Sequence, residues 1–250
     1  MELIILGSSG AWPGPGQAAS GYMLREDGYT LVLDLGTGAL SNLQRHVPHH
    51  EIDAIVLSHE HLDHTLDLYP LFYARYFHPE PLPPLPVVTP PGLFDRINKL
   101  EDHNGVRDMA ASFEMREVEP GSAFELGPFR ISTRLLPHWV PNIGMRIESG
   151  GTALCYTGDT GPSKEIDVVA RDAHLMVAEA SWLDGPSDLP PYHLTAKQGG
   201  EHAARAGAGR LLLSHFWPGN DRERSRSEAA EHFDGEILLA DEGARVEVGR

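Results

Sequence analysis

A single cysteine, Cys155, stands among the 250 residues, so no disulfide can form within the chain. That scarcity suits a reducing compartment, and the expectation is a cytoplasmic protein. Long apolar runs are also missing. No stretch approaches the roughly 20 apolar residues of a membrane span, so no membrane partner is expected. The opening Met1-Glu2-Leu3-Ile4-Ile5-Leu6 lacks the basic region and the apolar length of a secretion signal. Positive charge is scarce as well: 20 Lys and Arg against 36 Asp and Glu give a formal net charge of −16. Nucleic-acid binding leans on Lys and Arg neutralising phosphates, so nucleic acid is not the expected partner. The one dense basic cluster, Arg222, Arg224 and Arg226, alternates with Glu223, Glu228 and serines and reads as a solvated mixed-charge face.

What is present is an ordinary soluble composition on a chain long enough to bury a sizeable core, read as one domain over residues 1–250. Apolar, β-branched runs predict strands at Leu3 to Leu6, Tyr22 to Leu24, Tyr29 to Leu33 and Ile52 to Leu57. Further strands are predicted at 129–136, 144–148, 153–157, 175–178, 211–214 and 236–239. Helices are predicted at 39–46, 67–76, 92–100, 163–170, 195–206 and 224–232. Seven prolines between Pro79 and Pro91 resemble an interdomain linker. The embedded Val87-Val88 and the helix after it argue instead for a loop, a short strand and a helix within one domain. Strands mixed with helices along the whole length imply two sheets covered by helices.

The chemistry concentrates in residues 59 to 64. His59, His61, Asp63 and His64 offer four donors in six positions, directly after the strand Ile52 to Ser58. Side chains so close together on a turn point in different directions and cannot all serve one tetrahedral ion, so the run suggests two adjacent metals completed from elsewhere. Further candidates close other strands: His138 after Leu135-Leu136-Pro137, Asp159 after Thr157-Gly158, and His215 after Leu213-Ser214. Donors at strand ends are held by the sheet and converge on one rim, as a preorganised site requires. His46, His49, His50, His78, His103, His174, His202 and His232 lack that setting and read as surface residues, and Cys155 reads as core packing.

The pattern His59-x-His61-x-Asp63-His64, followed by His138, Asp159 in Thr-Gly-Asp-Thr and His215 in Leu-Leu-Ser-His-Phe, resembles the metallo-β-lactamase superfamily. Leu6-Gly7-Ser8-Ser9-Gly10, Asp34-Leu35-Gly36-Thr37-Gly38, and Ala178-Glu179-Ala180 with His193-Leu194-Thr195-Ala196 resemble its RNase Z-like branch. The resemblance implies an α/β fold, a four-layer αββα sandwich, with two divalent metal ions on one rim. It gives His59, His61 and His138 to the first ion, Asp63, His64 and His215 to the second, and Asp159 to both. Zinc is the default for an imidazole-rich set, with manganese or iron compatible. The candidate catalytic residues are Asp63, Glu179 and His193. His193 would give the leaving oxygen its proton and Glu179 would orient its ring. Paired ions lower the pKa of a shared water toward about 7, which suits hydrolysis of a phosphoester.

A departure bears on the substrate. RNase Z enzymes that cut tRNA usually carry a long arm between the positions matching His138 and Asp159, whereas residues 139–158 leave room only for a hairpin. A phosphodiesterase acting on a small or cyclic nucleotide therefore fits better, with Trp139, Tyr192 and Phe216 as candidates to stack a base. A tRNA 3′-processing endonuclease is the alternative, and a non-catalytic metal-bound scaffold or carrier comes third. A homodimer is open on the resemblance alone, since no sequence feature sets it.

Overall fold

A computed structural model describes residues 1–100, 109, 112–185 and 191–249. His103 lies outside the described residues. The first sheet contains β1 (Glu2–Gly7), β2 (Gly21–Glu26), β3 (Tyr29–Leu35), β4 (Ala54–Val56), β5 (Leu85–Thr89), β6 (Phe113–Glu117) and β14 (Arg245–Glu247), in the order β14-β1-β2-β3-β4-β5-β6. The second contains β7 (Ala123–Leu126), β8 (Phe129–Leu136), β9 (Asn142–Ser149), β10 (Thr152–Tyr156), β11 (Leu175–Glu179), β12 (Arg210–Ser214) and β13 (Glu236–Leu239), in the order β13-β12-β11-β10-β9-β8-β7. Each sheet is antiparallel over its first connections and parallel thereafter. β3, β4, β5 and β6 run parallel in one, and β10, β11, β12 and β13 in the other.

Alternation along the strands builds the layers. Leu3 and Ile5 of β1, Leu31 and Leu33 of β3 and Val56 of β4 face Ile131, Met145, Leu154, Val177 and Leu212 of the other sheet in one central core. The intervening Ile4, Leu6, Val32 and Ile55 point the other way. They pack on α1 (Ala39–Leu43), α3 (Leu68–Tyr76) and α4 (Leu93–Leu100). On the far side Cys155, Met176, Ala178 and Leu213 pack on α5 (Lys164–Val169), α6 (Ala196–Ala206) and α7 (Arg222–Ala230). Both faces of both sheets are therefore covered, which is why these strands read as continuous apolar runs rather than alternating ones. The result is the four-layer αββα sandwich of the α/β class.

The proline-rich segment is no linker, because β5 lies inside the first sheet between β4 and β6. His202 is a correction to the surface reading: it is 3% exposed and sits 2.5 Å from an Asp167 carboxylate oxygen. Cys155 is fully buried in the outer core. The Arg224 and Arg226 side chains pair with Glu228 and Glu223 of the same helix. α6 starts with a capping box: Thr195 Oγ1 accepts from the Gln198 amide at 3.1 Å while Gln198 Oε1 accepts from the Thr195 amide at 2.9 Å. Such a cap, worth about 1 kcal/mol, fixes the chain two residues beyond His193. Among the described residues no helix is long and apolar enough to cross a membrane.

Candidate metal centre

β4 ends at Val56, and the chain then makes a single helical turn, α2 (Leu62–Thr65), which the sequence patterns did not reveal. The turn fans the four donors apart. His59 Nε2 and His61 Nδ1 lie 3.0 Å apart, and His138 Nε2, brought in from the end of β8, lies 3.0 Å from the same His61 nitrogen. Asp159 Oδ2, just beyond β10, is 3.8 Å from His59 Nε2 and 3.9 Å from His138 Nε2. A second group forms beside it. His64 Nε2 and His215 Nε2 lie 3.2 and 3.3 Å from Asp159 Oδ1, and 3.6 and 3.2 Å from Asp63 Oδ2. All seven sequence candidates thus gather in two four-donor groups that share Asp159. Glu60, between two of them, turns away to Arg96.

The donor chemistry fits divalent ions. His64 Nε2 and Asp159 Oδ1 are buried and make no hydrogen bond among the described residues, an expensive arrangement unless something else satisfies them. Burial, followed by the neighbouring His64, holds His59 well below the ordinary histidine range. Burial and His138 bring His61 down to about 4. Burial also lowers His138. Three neutral imidazoles with converging lone pairs beside a carboxylate make an N3O set of the kind zinc prefers. In the second group burial works against the charged forms, but ion pairing outweighs it. Asp159, Asp63 and Asp34 raise His64, while His64 and His215 hold Asp63 and Asp159 low.

In His59, His64, His138 and His215 the opposite ring nitrogen is anchored, which selects the tautomer that leaves the nitrogen facing the other donors free. His64 Nδ1 donates to Asp34 Oδ2 at 2.7 Å. Ser58 Oγ donates to the same oxygen at 2.7 Å and lies 3.0 Å from His59 Nδ1. Tyr156 and the Ser58 amide also donate to this carboxylate, at 2.5 and 2.6 Å. His138 Nδ1 donates to the Tyr192 carbonyl at 3.0 Å, and His215 Nδ1 lies 2.8 Å from Ser181 Oγ. Asp34, Ser58 and Ser181 were not singled out from the sequence. Asp34 directly follows the strand predicted at Tyr29 to Leu33, so the strand-end rule applied to it equally, although β3 itself runs on to Leu35. Both Asp34 and His215 take left-handed backbone angles, with φ of 55° and 54°, strain that persists where the surroundings enforce it.

Glu179, at the end of β11, accepts from the Thr160 amide and from Ser181 Oγ, each at 2.5 Å. Both its oxygens lie 3.1 Å from His193 Nδ1. Burial pulls His193 down, but the Glu179 charge and hydrogen bond, aided by Asp159 and Asp63, push it up to about 9. Ser181 Oγ touches both Glu179 and His215, so the Glu179–His193 pair and the second donor group share one hydrogen-bond network.

All four tryptophans of the chain gather at this rim. Trp139 lies along the His138 ring, 6.0 Å between centroids at 14°, and edge-on to His61 at 6.2 Å. Trp182 stands 5.6 Å from His193, Trp217 4.2 Å from Trp182, and Trp12 5.3 Å from Trp217. Trp139 is 62% and Trp12 47% exposed. Phe216 corrects the sequence reading: it is 1% exposed and covered by the Arg222 guanidinium at 4.8 Å, so no base can reach its face. Tyr192 is half-buried against Trp139.

Two histidine–aspartate groups on the open rim of an αββα sandwich define a metallo-hydrolase. A family model for the beta-lactamase superfamily domain matches residues 29–216, and the chain belongs to the metallo-β-lactamase superfamily. It is 36% identical to the protein ML1173 of Mycobacterium leprae over 99% of this chain and 89% of that one. It is 30% identical to YhfI of Bacillus subtilis, a probable metallo-hydrolase, over 97% of this chain and 98% of YhfI. The crystal structure of YhfI superposes with a TM-score of 0.89, covering 98% and 99% of the two chains. Ribonuclease Z of Mycolicibacterium gilvum is 30% identical over 99% of this chain and 96% of the enzyme. That match runs over 279 residues against a 250-residue chain, so the enzyme carries inserted residues with no counterpart here.

Proposed function

We propose that this protein is a dinuclear metal-dependent phosphodiesterase that cleaves a small or cyclic nucleotide phosphodiester, within a single hydrolase domain over residues 1–250. The observation that carries the reading is the compact rim. Between His138 and Asp159 the chain forms only β9, the tight turn Gly150-Gly151 and β10, and at its start Trp139 stands exposed beside the donors. A base can stack there while its phosphate reaches the rim. No arm projects from that hairpin to grip a large RNA, and the net charge of −16 works against one.

His59, His61, His138 and Asp159 would hold one ion, and Asp63, His64, His215 and Asp159 the other. When bound, such ions, zinc by default, supply Lewis acidity and a water acidic enough to act near neutral pH. The protein's own groups do the remainder. His193, its Nδ1 held by Glu179, keeps Nε2–H as the deliverable proton for the leaving alkoxide. Thr160 and Ser181 lock Glu179, so the imidazole is oriented before substrate arrives. The ribonuclease Z relative favours one other reading, cleavage at a tRNA 3′ end.

The test is hydrolysis by the zinc- or manganese-loaded protein of bis-p-nitrophenyl phosphate, 3′,5′-cyclic AMP and a precursor tRNA. The expected result is turnover of the two small esters with intact tRNA. Cleavage of the tRNA would overturn the reading, and silence on all three with two ions bound would favour a carrier.

A further inference from the structure

A second histidine cluster lies away from the rim and takes no part in the chemistry above. His49 and His50 open the 3₁₀ turn His49–Glu51, and His78 follows α3. Their rings pack as a triangle, with centroids 5.4 Å (His49–His50), 5.8 Å (His49–His78) and 5.0 Å (His50–His78) apart. One nitrogen from each lies within 4.8 Å of the others. We propose that His49, His50 and His78 form a separate structural site for a late divalent transition ion such as zinc or nickel.

Three observations support it. His49 Nε2 is buried and has no hydrogen-bond partner among the described residues, so it is a ring nitrogen in want of one. His78 Nδ1 is held at Glu80, 2.9 Å from its carbonyl oxygen and 3.2 Å from its amide, so Nε2 is the ring nitrogen that Glu80 does not engage. His50 completes the set from a 39% exposed position, with a Glu51 carboxylate oxygen 4.0 Å from its Nε2. Tetrahedral ligation at about 2.0–2.1 Å requires nitrogens roughly 3.3 Å apart, so the rings must draw together from separations of up to 4.8 Å. Rotation of the exposed His50 side chain closes its distances to the other two, and His78 must shift toward His49 as well. Arg75, the nearby opposing charge, is committed to the Pro83 and Ser112 carbonyls.

The placement gives the site a purpose. Residues 50 and 78 bracket the segment that carries His59, His61, Asp63 and His64, so an ion held between them would clip that segment at its base. An ion that binds this arrangement and not the unfolded chain stabilises the fold through its binding free energy.

The experiment is metal content by mass spectrometry after loading the chelator-stripped protein with zinc, for wild type, His50→Ala, His50→Ala/His78→Ala and, separately, His61→Ala. The proposal requires each His50 variant to bind one equivalent fewer than wild type, whatever number the central groups hold. His61→Ala must keep the peripheral ion. Failure of the central reading would lower the wild-type total without removing this difference, so the two are distinguishable. Equal stoichiometry and equal affinity in wild type and both His50 variants would overturn the proposal. Thermal unfolding in chelator reports whether the variants fold, and the single change at exposed His50 keeps the test usable if the double variant does not.

Discussion

Asp34 never faces the metals, yet its replacement by Asn is a sharp test of how the centre is held. Three donors converge on Oδ2, from His64, Ser58 Oγ and Tyr156, and the Ser58 amide occupies Oδ1. An amide keeps the shape but has only one acceptor oxygen. With that oxygen in the Oδ2 position, the new NH2 faces the Ser58 amide, donor against donor. In the other orientation it faces three donors. The better orientation still leaves one buried donor unpaired, at about 1–3 kcal/mol, and removes the charge from the bonds to His64. For a chain of this length that is a fall of about 2–12 °C in melting temperature. Loss of an outer partner to a ligating histidine weakens metal binding by about 10- to 100-fold. The loss falls mainly on the group containing His64. Asp34→Ala, which orphans all four donors, should cost more than Asn. The assays are thermal unfolding in chelator and competition for zinc against a chromophoric chelator. If Asp34→Asn melts within about 1 °C of wild type and binds both ions with unchanged affinity, the carboxylate does not hold the centre as described.

Three other outcomes follow from the same geometry. His193→Ala should lower turnover by about 10²- to 10⁴-fold with metal content unchanged, and loss of an ion would make His193 a ligand instead. Because His193 is raised to about 9, its donor form persists through neutral pH and is lost as pH rises through that value. Bound cations cancel the help of Asp159 and Asp63, so the alkaline limb of the rate profile should fall at or below about 9 and vanish in His193→Ala. Trp139→Ala should raise KM for a cyclic nucleotide by about 5- to 150-fold, the equivalent of about 1–3 kcal/mol of stacking, with kcat little changed; an unchanged KM would remove Trp139 from base recognition. Gly36→Ala would place a methyl carbon 1.8 Å from the Asp63 carbonyl oxygen, a backbone atom that cannot swing aside, so reduced stability and weaker binding at the Asp63 group should appear together in unfolding and zinc-content measurements.

The strands buried on both faces were legible because their apolar runs are long and unbroken, as in β1, β10 and β12. Those missed were β6, β7 and β14. The first two end their sheets and alternate with charge, and β14 is three residues with one buried side chain. α2 escaped because a single turn carries no periodicity, and its residues were already claimed as donors. The predicted helix at 39–46 ends at Leu43, and the strand predicted from Ile52 begins at Ala54. The donors were legible through their strand-end positions. Ser58 and Ser181 were not, since a serine beside a ligand looks like any loop serine until the ring nitrogen it supports is in place. Phe216 was misjudged because adjacence to His215 in sequence says nothing about which side of β12's end is open. The grouping of His49, His50 and His78 at the surface was not legible, because its third member is 28 residues away from His50 in the chain and meets the others only when α3 folds back.

Each donor group draws equally on the two sheets. The His59–His61 pair and the Asp63–His64 pair come from the first, and His138, His215 and the shared Asp159 from the second. Neither half of the chain presents more than two donors to either group, so affinity for an ion would come from the mating of the sheets rather than from a local motif. Whatever pries the sandwich open at this edge also dissolves the centre, and an ion that binds only the closed form strengthens closure by mass action. Ions held there would act as a seam closing two leaves, and occupancy of the centre would double as a gauge of whether the molecule is properly shut.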